Sequence, residues 1–517
     1  MSHHALNAAR READLEALQA DPRPLDVLVI GGGVTGAGVA LDAASRGLRT
    51  ALVERRDLAW GTSRWSSKLV HGGLRYLAQG AFGIAMESAR ERHVLLTRTA
   101  PHLVHPIVQA VPFTPQVSAK AERELRGGLA LGDGLRRAAG TSARELPRAR
   151  RASADELLRI APGVDRAGLR GALISHDAQL EDDARLVVGL ARTAAAHGAS
   201  ILTRVAATQV AGDGAQLRDE LSGATFDVRA RAVINATGVW AGELIDDIRL
   251  RPSRGTHLVV PLDRLGGLAG QLTVPVPGER NRWVFAIAQR TGVAYVGLTD
   301  EPAPGPIPDV PAAPEADVDF LLATLNATLA RPLTRDDVVG TYAGLRPLVE
   351  SSEAKTADLS RKHAVIRSGG GLVSVVGGKL TTYRQMAQDA VDAAVDAGGL
   401  AGAAGACRTK DLPLVGAAPR DALAAVAAPR RLVDRHGTLA PDVLALAGGD
   451  PDLLAPMLPG LDVLAVEALY AVECEGALDA DDVLDRRTRI GLVDAARVQA
   501  RPVVDALLAR SGQASAA

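Results

Sequence analysis

Cysteine is almost absent from the chain: Cys407 and Cys474 are the only two in 517 residues. That excludes a disulfide framework and any cysteine-based zinc or iron–sulfur centre, fits a reducing compartment, and leaves no metal to be expected. Long hydrophobic runs are missing too. No stretch of about 18 uncharged apolar residues occurs, so no transmembrane helix is expected. The opening MSHHALNAARREADLEALQA carries charges throughout, where a secretory signal would have an apolar centre. An excess of either charge is likewise absent. Against 60 acidic residues stand 59 basic ones, a net charge of −1, which argues against a nucleic-acid or general polyanion binder. Lysine is scarce: Lys68, Lys120, Lys355, Lys362, Lys379 and Lys410 are all there are, the other basic residues being arginine, so a lysine inside a motif stands out.

What remains is globular composition, 47% apolar and 23% charged, in a chain long enough for two or three domains. Leu6, Ala9, Ala13 and Leu18 repeat at helical spacing until the prolines at 22 and 24 stop the pattern, which predicts a short docking arm. The run DVLVI predicts a buried strand, the glycines after it open a helix ending near Gly47, and TALVE predicts a second strand, making a βαβ unit. EDDARLVVGLARTAAAHGA reads as a helix, and ARAVINATG as a third buried strand entering a tight turn. HLVVP, RWVFAIA and VAYVGL predict an antiparallel sheet over 253–300, a layer separate from the βαβ part. The six prolines between Glu301 and Ala316 predict a stiff loop ahead of a helix. HAVIR and LVSVV read as strands, KLTTYRQMAQDAVDAAVDAGG as a helix, the region after about 400 as wholly helical, and SGQASAA as a frayed tail. RELPRARRAS, with Arg144, Arg148, Arg150 and Arg151, reads as a solvated basic face.

Chemistry is most legible at Gly31-x-Gly33-x-x-Gly36, between a strand and a helix, with Glu54 ending the next strand. Gly31 permits the tight turn, Gly33 lets backbone amides approach a pyrophosphate, Gly36 lets the helix pack on the strand, and Glu54 can accept a ribose diol. The motif does not separate NAD from FAD. Two later segments favour a long extended cofactor: INATGVWAGEL puts Ala236, Thr237 and Gly238 after a strand, and VVGGKLTTYR puts Gly377 and Gly378 before a helix N-terminus.

Together with these, SSKLVHGGLRYL, DDARLV, GTHLVVP and RDDVVGTYAGLRPL resemble, in order over about residues 26 to 390, the FAD-dependent aerobic, respiratory glycerol-3-phosphate dehydrogenases. The helical tail resembles that family's C-terminal domain more loosely. The resemblance implies an α/β fold: a Rossmann-like, glutathione-reductase-like FAD-binding domain in three parts (26–105, 166–250, 346–400), an inserted mixed-sheet substrate domain (106–165, 251–345) and a helical C-terminal domain (401–517), preceded by the arm (1–25). It implies noncovalent FAD held by Gly31, Gly33, Thr35, Gly36 and Glu54, by Thr62, Ser63, Ser66, Ser67, Lys68 and Leu69 around the flavin, and by Ala236, Thr237, Gly238, Gly378, Lys379, Leu380 and Thr381. A phosphate dianion needs a cluster of cations, and the matched motifs supply Arg75, Tyr76, Arg346, Arg361 and Lys379.

The implied reaction oxidises sn-glycerol 3-phosphate to dihydroxyacetone phosphate, with hydride passing from C2 to FAD and electrons onward to a membrane quinone. A base of near-neutral pKa suits that step, which makes His257 the first candidate and His71 the second, with Arg346 and Lys379 available to stabilise the developing alkoxide. Quinone access without a spanning helix requires a peripheral membrane surface on the cytoplasmic side, for which RELPRARRAS is a candidate; a homodimer is allowed. The rivals are an oxidase using oxygen, an amino-acid oxidase, and a noncatalytic FAD-binding sensor or scaffold. The bulky pair Arg64 and Trp65 departs from the small polar residues expected at that point of the flavin loop.

Overall fold

The computed structural model describes residues 3–73, 76–77, 80–245, 248–279, 282–349, 363–368 and 370–510, in which two sheets carry the architecture. The tail SGQASAA lies outside the described residues. The apolar run Leu25–Ile30 is a strand covered on both faces. It lies parallel between Thr50–Glu54, with Val27 opposite Thr50, and Thr225–Asn235, with Ile30 opposite Asn235. Ser200–Thr203 and Val373–Val376 extend the parallel sheet on either side, and Ala364–Arg367 closes one edge antiparallel.

Alternation then sorts the side chains. Val27 and Val29 join a core with the helices Val34–Ser45, Asp183–Ala196 and Tyr383–Ala397. Leu28 and Ile30 face Leu217 of the strand pair Val205–Ala211 and Gly214–Asp219, and Leu15 and Leu18 of the N-terminal helix Ala8–Ala20. That helix is the expected arm. Asn7 caps it by accepting the Arg10 N–H at 2.9 Å, and Arg11 donates to the Thr203 carbonyl at 2.7 Å.

Among the described residues the second sheet has ten strands and is mixed. Leu250–Pro261 pairs antiparallel with Gly340–Val349, Val293–Gly297 and Glu301–Pro302, and the sheet continues through Trp283–Ala288 to Gln271–Pro275. Gln271–Pro275 then runs parallel to Val104–Pro112, the expected antiparallel layer thus joining an earlier part of the chain. Val104–Pro112 pairs along its whole length with Ala172–Leu180, whose other side takes Leu69–Val70 and Arg150–Ala152. The boundary drawn at 166 therefore falls ahead of a strand of this second sheet. His176, Asp177 and Gln179 interrupt its apolar pattern, which is why periodicity did not reveal it.

The proline-rich segment is ordered. It leaves the sheet at Pro302, brings Asp309 to Arg55 and Arg56 of the first domain at 3.2 and 2.6 Å, and returns as the helix Glu315–Asn326. Arg150 and Arg151 pair with Glu156 and Glu122 while remaining half exposed, in line with a solvated face. The C-terminal helices, among them Arg430–His436, Ala465–Glu475 and Asp494–Arg510, close around Leu432, Val466, Val472, Leu484 and Val504. They dock on the first domain through buried charge: Arg486 and Arg487 on Asp57, and Arg185 on Glu475. Among the described residues, no helix is long and apolar enough to cross a membrane, and no cluster of three His, Cys, Asp or Glu side chains could hold a metal ion.

Candidate active site

The turn from Leu25–Ile30 into Val34–Ser45 builds the nucleotide end. Gly31 has φ +109° and lies so near the Ala236 carbonyl that a Cβ would stand 2.7 Å from its oxygen. A Cβ on Gly36 would collide with the Gly31 carbonyl oxygen. Gly33 differs: a Cβ there would meet only the Ser63 hydroxyl, at 3.2 Å, so packing alone does not demand glycine. Gly33 is also the helix N-cap and supplies no side-chain acceptor, while Thr35 sits in the first turn. The Val34 N–H donates to Ser63 Oγ at 2.8 Å. The Glu54 carboxylate accepts the Gly32 and Arg56 N–H groups, each at 2.7 Å; burial raises its pKa, with those two bonds opposing. Each oxygen keeps capacity for a further donor.

Two other turns complete a cradle. After Thr225–Asn235 the buried Asn235 side chain accepts the Thr237 N–H and hydroxyl at 3.2 and 2.7 Å, and donates to the Ala241 carbonyl, fixing Ala236, Thr237 and Gly238. Gly377 and Gly378 both take positive φ, +77° and +73°, before the tight turn Leu380–Thr382. There the Thr381 hydroxyl is buried with no hydrogen-bond partner among the described residues. An orphaned hydroxyl, a glycine that packing does not require and a helix start without a side-chain cap fit an extended dinucleotide.

The loop that follows Thr50–Glu54 is held from several sides. Thr62 Oγ1 donates to the Leu345 carbonyl at 2.6 Å, and Leu69 pairs with Gln179 in the second sheet. Lys68 has φ +58°, and its ammonium donates to Asp183 Oδ2 at 2.8 Å and to the Arg64 and Ser66 carbonyls at 2.9 and 3.1 Å. Burial pulls the Lys68 pKa down to about 8, against the Asp183 carboxylate. Any field Lys68 exerts on a cofactor is thus paired with an opposing charge. Asp183 Oδ2 also accepts the Ser66 N–H and hydroxyl, at 2.9 and 2.8 Å. Arg64 and Trp65 face the C-terminal domain: Arg64 lies between the Trp60 and Trp65 rings, and Arg489 donates to its carbonyl at 2.6 Å.

His257 stands in Leu250–Pro261 opposite Gly297 and Tyr342. Its ring stacks on Tyr342 with centroids 4.6 Å apart, and the Tyr342 hydroxyl donates to the Ser66 carbonyl at 3.1 Å. Nε2 lies 2.8 Å from Ser67 Oγ, whereas Nδ1 is buried without a hydrogen-bond partner among the described residues. Burial, then Lys68 and Arg346, hold its pKa well below the ordinary histidine value. Arg346 is braced by Asp300 at 3.1 Å, Ser253 Oγ at 3.2 Å and the Thr299 carbonyl at 3.3 Å.

Lys379 places Nζ 3.5 Å from the centroid of the Tyr76 ring and donates to Ser88 Oγ at 2.8 Å. The fold thus joins two motifs 303 positions apart in the sequence. His71 is half-buried beside Gly72, whose N–H donates to Asp177 at 3.2 Å. Arg75 and Arg361 lie outside the described residues. Sequence reasoning passed over Asp183, Tyr342, Asn235, Ser88 and Arg489. Asp183 begins the predicted helix within DDARLV, a signal that was available; Arg489 sits in a helical region with no motif to mark it.

Residues 26–384 match the family described as FAD dependent oxidoreductase, and residues 407–516 match the C-terminal domain of alpha-glycerophosphate oxidase. The chain is 53% identical over 513 residues to glycerol-3-phosphate dehydrogenase 1 of Mycobacterium tuberculosis, covering 98% of this chain and 99% of that one. It is 34% identical over 505 residues to the glycerol-3-phosphate dehydrogenase of Synechocystis, covering 90% and 89%. Among solved structures, the glycerol-3-phosphate dehydrogenase of Bacillus halodurans complexed with FAD is similar with a TM-score of 0.75 and 28% identity, over 99% of this chain and 95% of that one. The GxGxxG turn, the two further turns beside it and these likenesses agree: FAD is the cofactor, and the chain belongs to the family of FAD-dependent glycerol-3-phosphate dehydrogenases.

Proposed function

We propose that this chain oxidises sn-glycerol 3-phosphate to dihydroxyacetone phosphate. The observation that carries the reading is the buried His257, hydrogen-bonded to Ser67 of the flavin loop, with burial, Lys68 and Arg346 lowering its pKa well below the ordinary histidine value. With the proton on Nδ1, Nε2 accepts from Ser67 Oγ at 2.8 Å, and through that hydroxyl it takes up the proton of the C2 hydroxyl. FAD, when bound, supplies the acceptor for the C2 hydride. Burial, then Lys68 and Arg346, disfavour a lasting imidazolium, so the proton passes from His257 through the Ser67 hydroxyl to solvent once the alcohol is oxidised. Arg346, Tyr76 and Lys379, with Arg75 and Arg361, bind the phosphate dianion, and the cations among them favour developing negative charge at the substrate. His71 is the reserve base.

Electrons pass onward to a membrane quinone, reached from the cytoplasmic side by peripheral contact of a basic or apolar surface rather than by a spanning helix. The relatives' names support the substrate. The experiment is anaerobic absorbance of the flavoprotein with glycerol 3-phosphate, glycerol and amino acids. Bleaching by the phosphate ester alone is expected; a band that persists with it overturns the reading. Reoxidation by a short-chain quinone faster than by air is expected for the dehydrogenase, and rapid peroxide formation in air points to the oxidase instead.

A further inference from the structure

The helix Phe82–Val94 carries no motif, yet its inward face touches both halves of the proposed phosphate site. Its Ser88, Glu91 and Arg92 are all buried. Arg92 Nη1 lies 2.6 Å from Asp177 Oδ1, the carboxylate that accepts the Gly72 N–H. Gly73, at φ +79°, backs onto the same helix so closely that a Cβ would stand 3.0 Å from Ala85 Cα and 3.1 Å from Ser88 Cβ. These contacts fix Gly72 and Gly73, in the same motif as Tyr76. On the other side, Glu91 holds Arg384 through two 2.8 Å bonds, and so fixes the start of the helix that follows Lys379.

Ser88 lies between the two halves, fully buried. Its hydroxyl donates to the Ile84 carbonyl at 2.9 Å, one turn back, which commits the only hydroxyl hydrogen. The oxygen is left as an acceptor, and the Lys379 ammonium donates a hydrogen bond to it at 2.8 Å while the Tyr76 ring lies against that ammonium. A lysine head sits on a flexible four-carbon stem and presents its protons in no fixed direction. An acceptor of set orientation removes that freedom. We propose that Ser88 is a positioning residue for Lys379, and that the helix Phe82–Val94 is the template on which Tyr76 and Lys379 are brought into register for the substrate phosphate.

The proposal rests on the reading of Lys379 as a phosphate ligand. A positioning role predicts a loss of substrate affinity that exceeds any loss of chemistry. Ser88→Ala in the FAD-loaded enzyme should raise KM for glycerol 3-phosphate roughly three- to tenfold, with a smaller fall in kcat and with FAD occupancy and Tm close to the parent. Ser88→Cys, close in size and a weaker acceptor, should fall between, and serves if the alanine variant proves unstable. Lys379→Met should raise KM further, and adding Ser88→Ala to it should then change KM no more, since two residues acting through one contact do not add. A structural role for Ser88 alone would instead lower Tm and kcat in both backgrounds. An unchanged KM in Ser88→Ala beside a raised KM in Lys379→Met overturns the positioning role and leaves the phosphate site standing. An unchanged KM in Lys379→Met overturns both.

Discussion

Lys68 Nζ and Asp183 Oδ2 meet at 2.8 Å with side chains 1% and 0% exposed. Breaking a buried pair from one side leaves the other charge without compensation, at a cost of about 3–5 kcal/mol. Asp183 also holds Ser66 twice, so Asp183→Asn disturbs the loop carrying Ser66 as well as the charge balance. Lys68→Met removes the ammonium and leaves Asp183 with Ser66 and, at 4.0 Å, Arg489. Asp183→Asn is therefore expected to lower Tm more than Lys68→Met and to lose FAD on desalting. Thermal unfolding of both variants checks this; equal losses would contradict the asymmetry.

Gly36 and Gly33 of the first turn should fail in different ways. Gly36→Ala drives a methyl into the Gly31 carbonyl and should destabilise the apoprotein itself. Gly33→Ala meets only the Ser63 hydroxyl, so the apoprotein should unfold near the parent temperature while FAD binds at least about tenfold more weakly. Calorimetry of the apoproteins and fluorescence titration with FAD separate the two. A Gly33→Ala protein that binds FAD normally would remove the pyrophosphate from that turn.

His257→Ala and Arg346→Ala should divide chemistry from binding. Loss of a general base costs about 10²–10⁴ in rate, so His257→Ala should slow flavin reduction by that order with modest change in substrate affinity. Arg346→Ala should weaken glycerol 3-phosphate binding about tenfold or more while flavin absorbance stays intact. Stopped-flow reduction across substrate concentrations reads both. An unchanged reduction rate in His257→Ala passes the role to His71 or to water.

Acid should destabilise the fold steeply. Burial is the main cause holding His102 and His105 at about 3 and His257 and His436 well below 6.5. The unfolded chain takes up these protons below pH 6.5 and the folded chain does not. Stability carried by the neutral rings is therefore complete above that pH and falls as pH drops toward the folded values. Four such groups give a slope of up to about 5 kcal/mol per pH unit. Urea unfolding between pH 7 and 5 measures it, and a level profile there would refute the argument.

The parallel sheet and its glycine turn were readable because Leu25–Ile30 and Thr50–Glu54 are short apolar runs beside glycines with local jobs. Tyr76 and Lys379 were readable only through motifs, since no local pattern tells which distant side chains a fold will join. Ala172–Leu180 was hidden because polar His176, Asp177 and Gln179 break its apolar run, Asp177 to reach Arg92 of a distant helix. Arg64 and Trp65 looked out of place beside a flavin. They face the C-terminal domain, where the Arg486 guanidinium stacks over Trp60 and that of Arg489 over Trp65. Ser88 was invisible because one serine in a helix carries no signal until its neighbour from the far end of the domain is known.

Asp57 ends the first βαβ unit, and its partner Arg487 comes 430 positions later. During synthesis from the N-terminus, the whole parallel sheet emerges before that guanidinium does, so a carboxylate destined for complete burial must wait in water or in a looser arrangement. The loop bearing Ser66 and Lys68 waits likewise for Arg489, which holds the Arg64 carbonyl. The nascent chain thus cannot finish its cofactor cleft at the point where the cleft's own sequence ends. A ribosome stalled short of residue 486 would hold a chain with every glycine of the nucleotide turn in place and the Lys68–Asp183 pair already made, and with the Arg64 carbonyl still lacking its Arg489 donor.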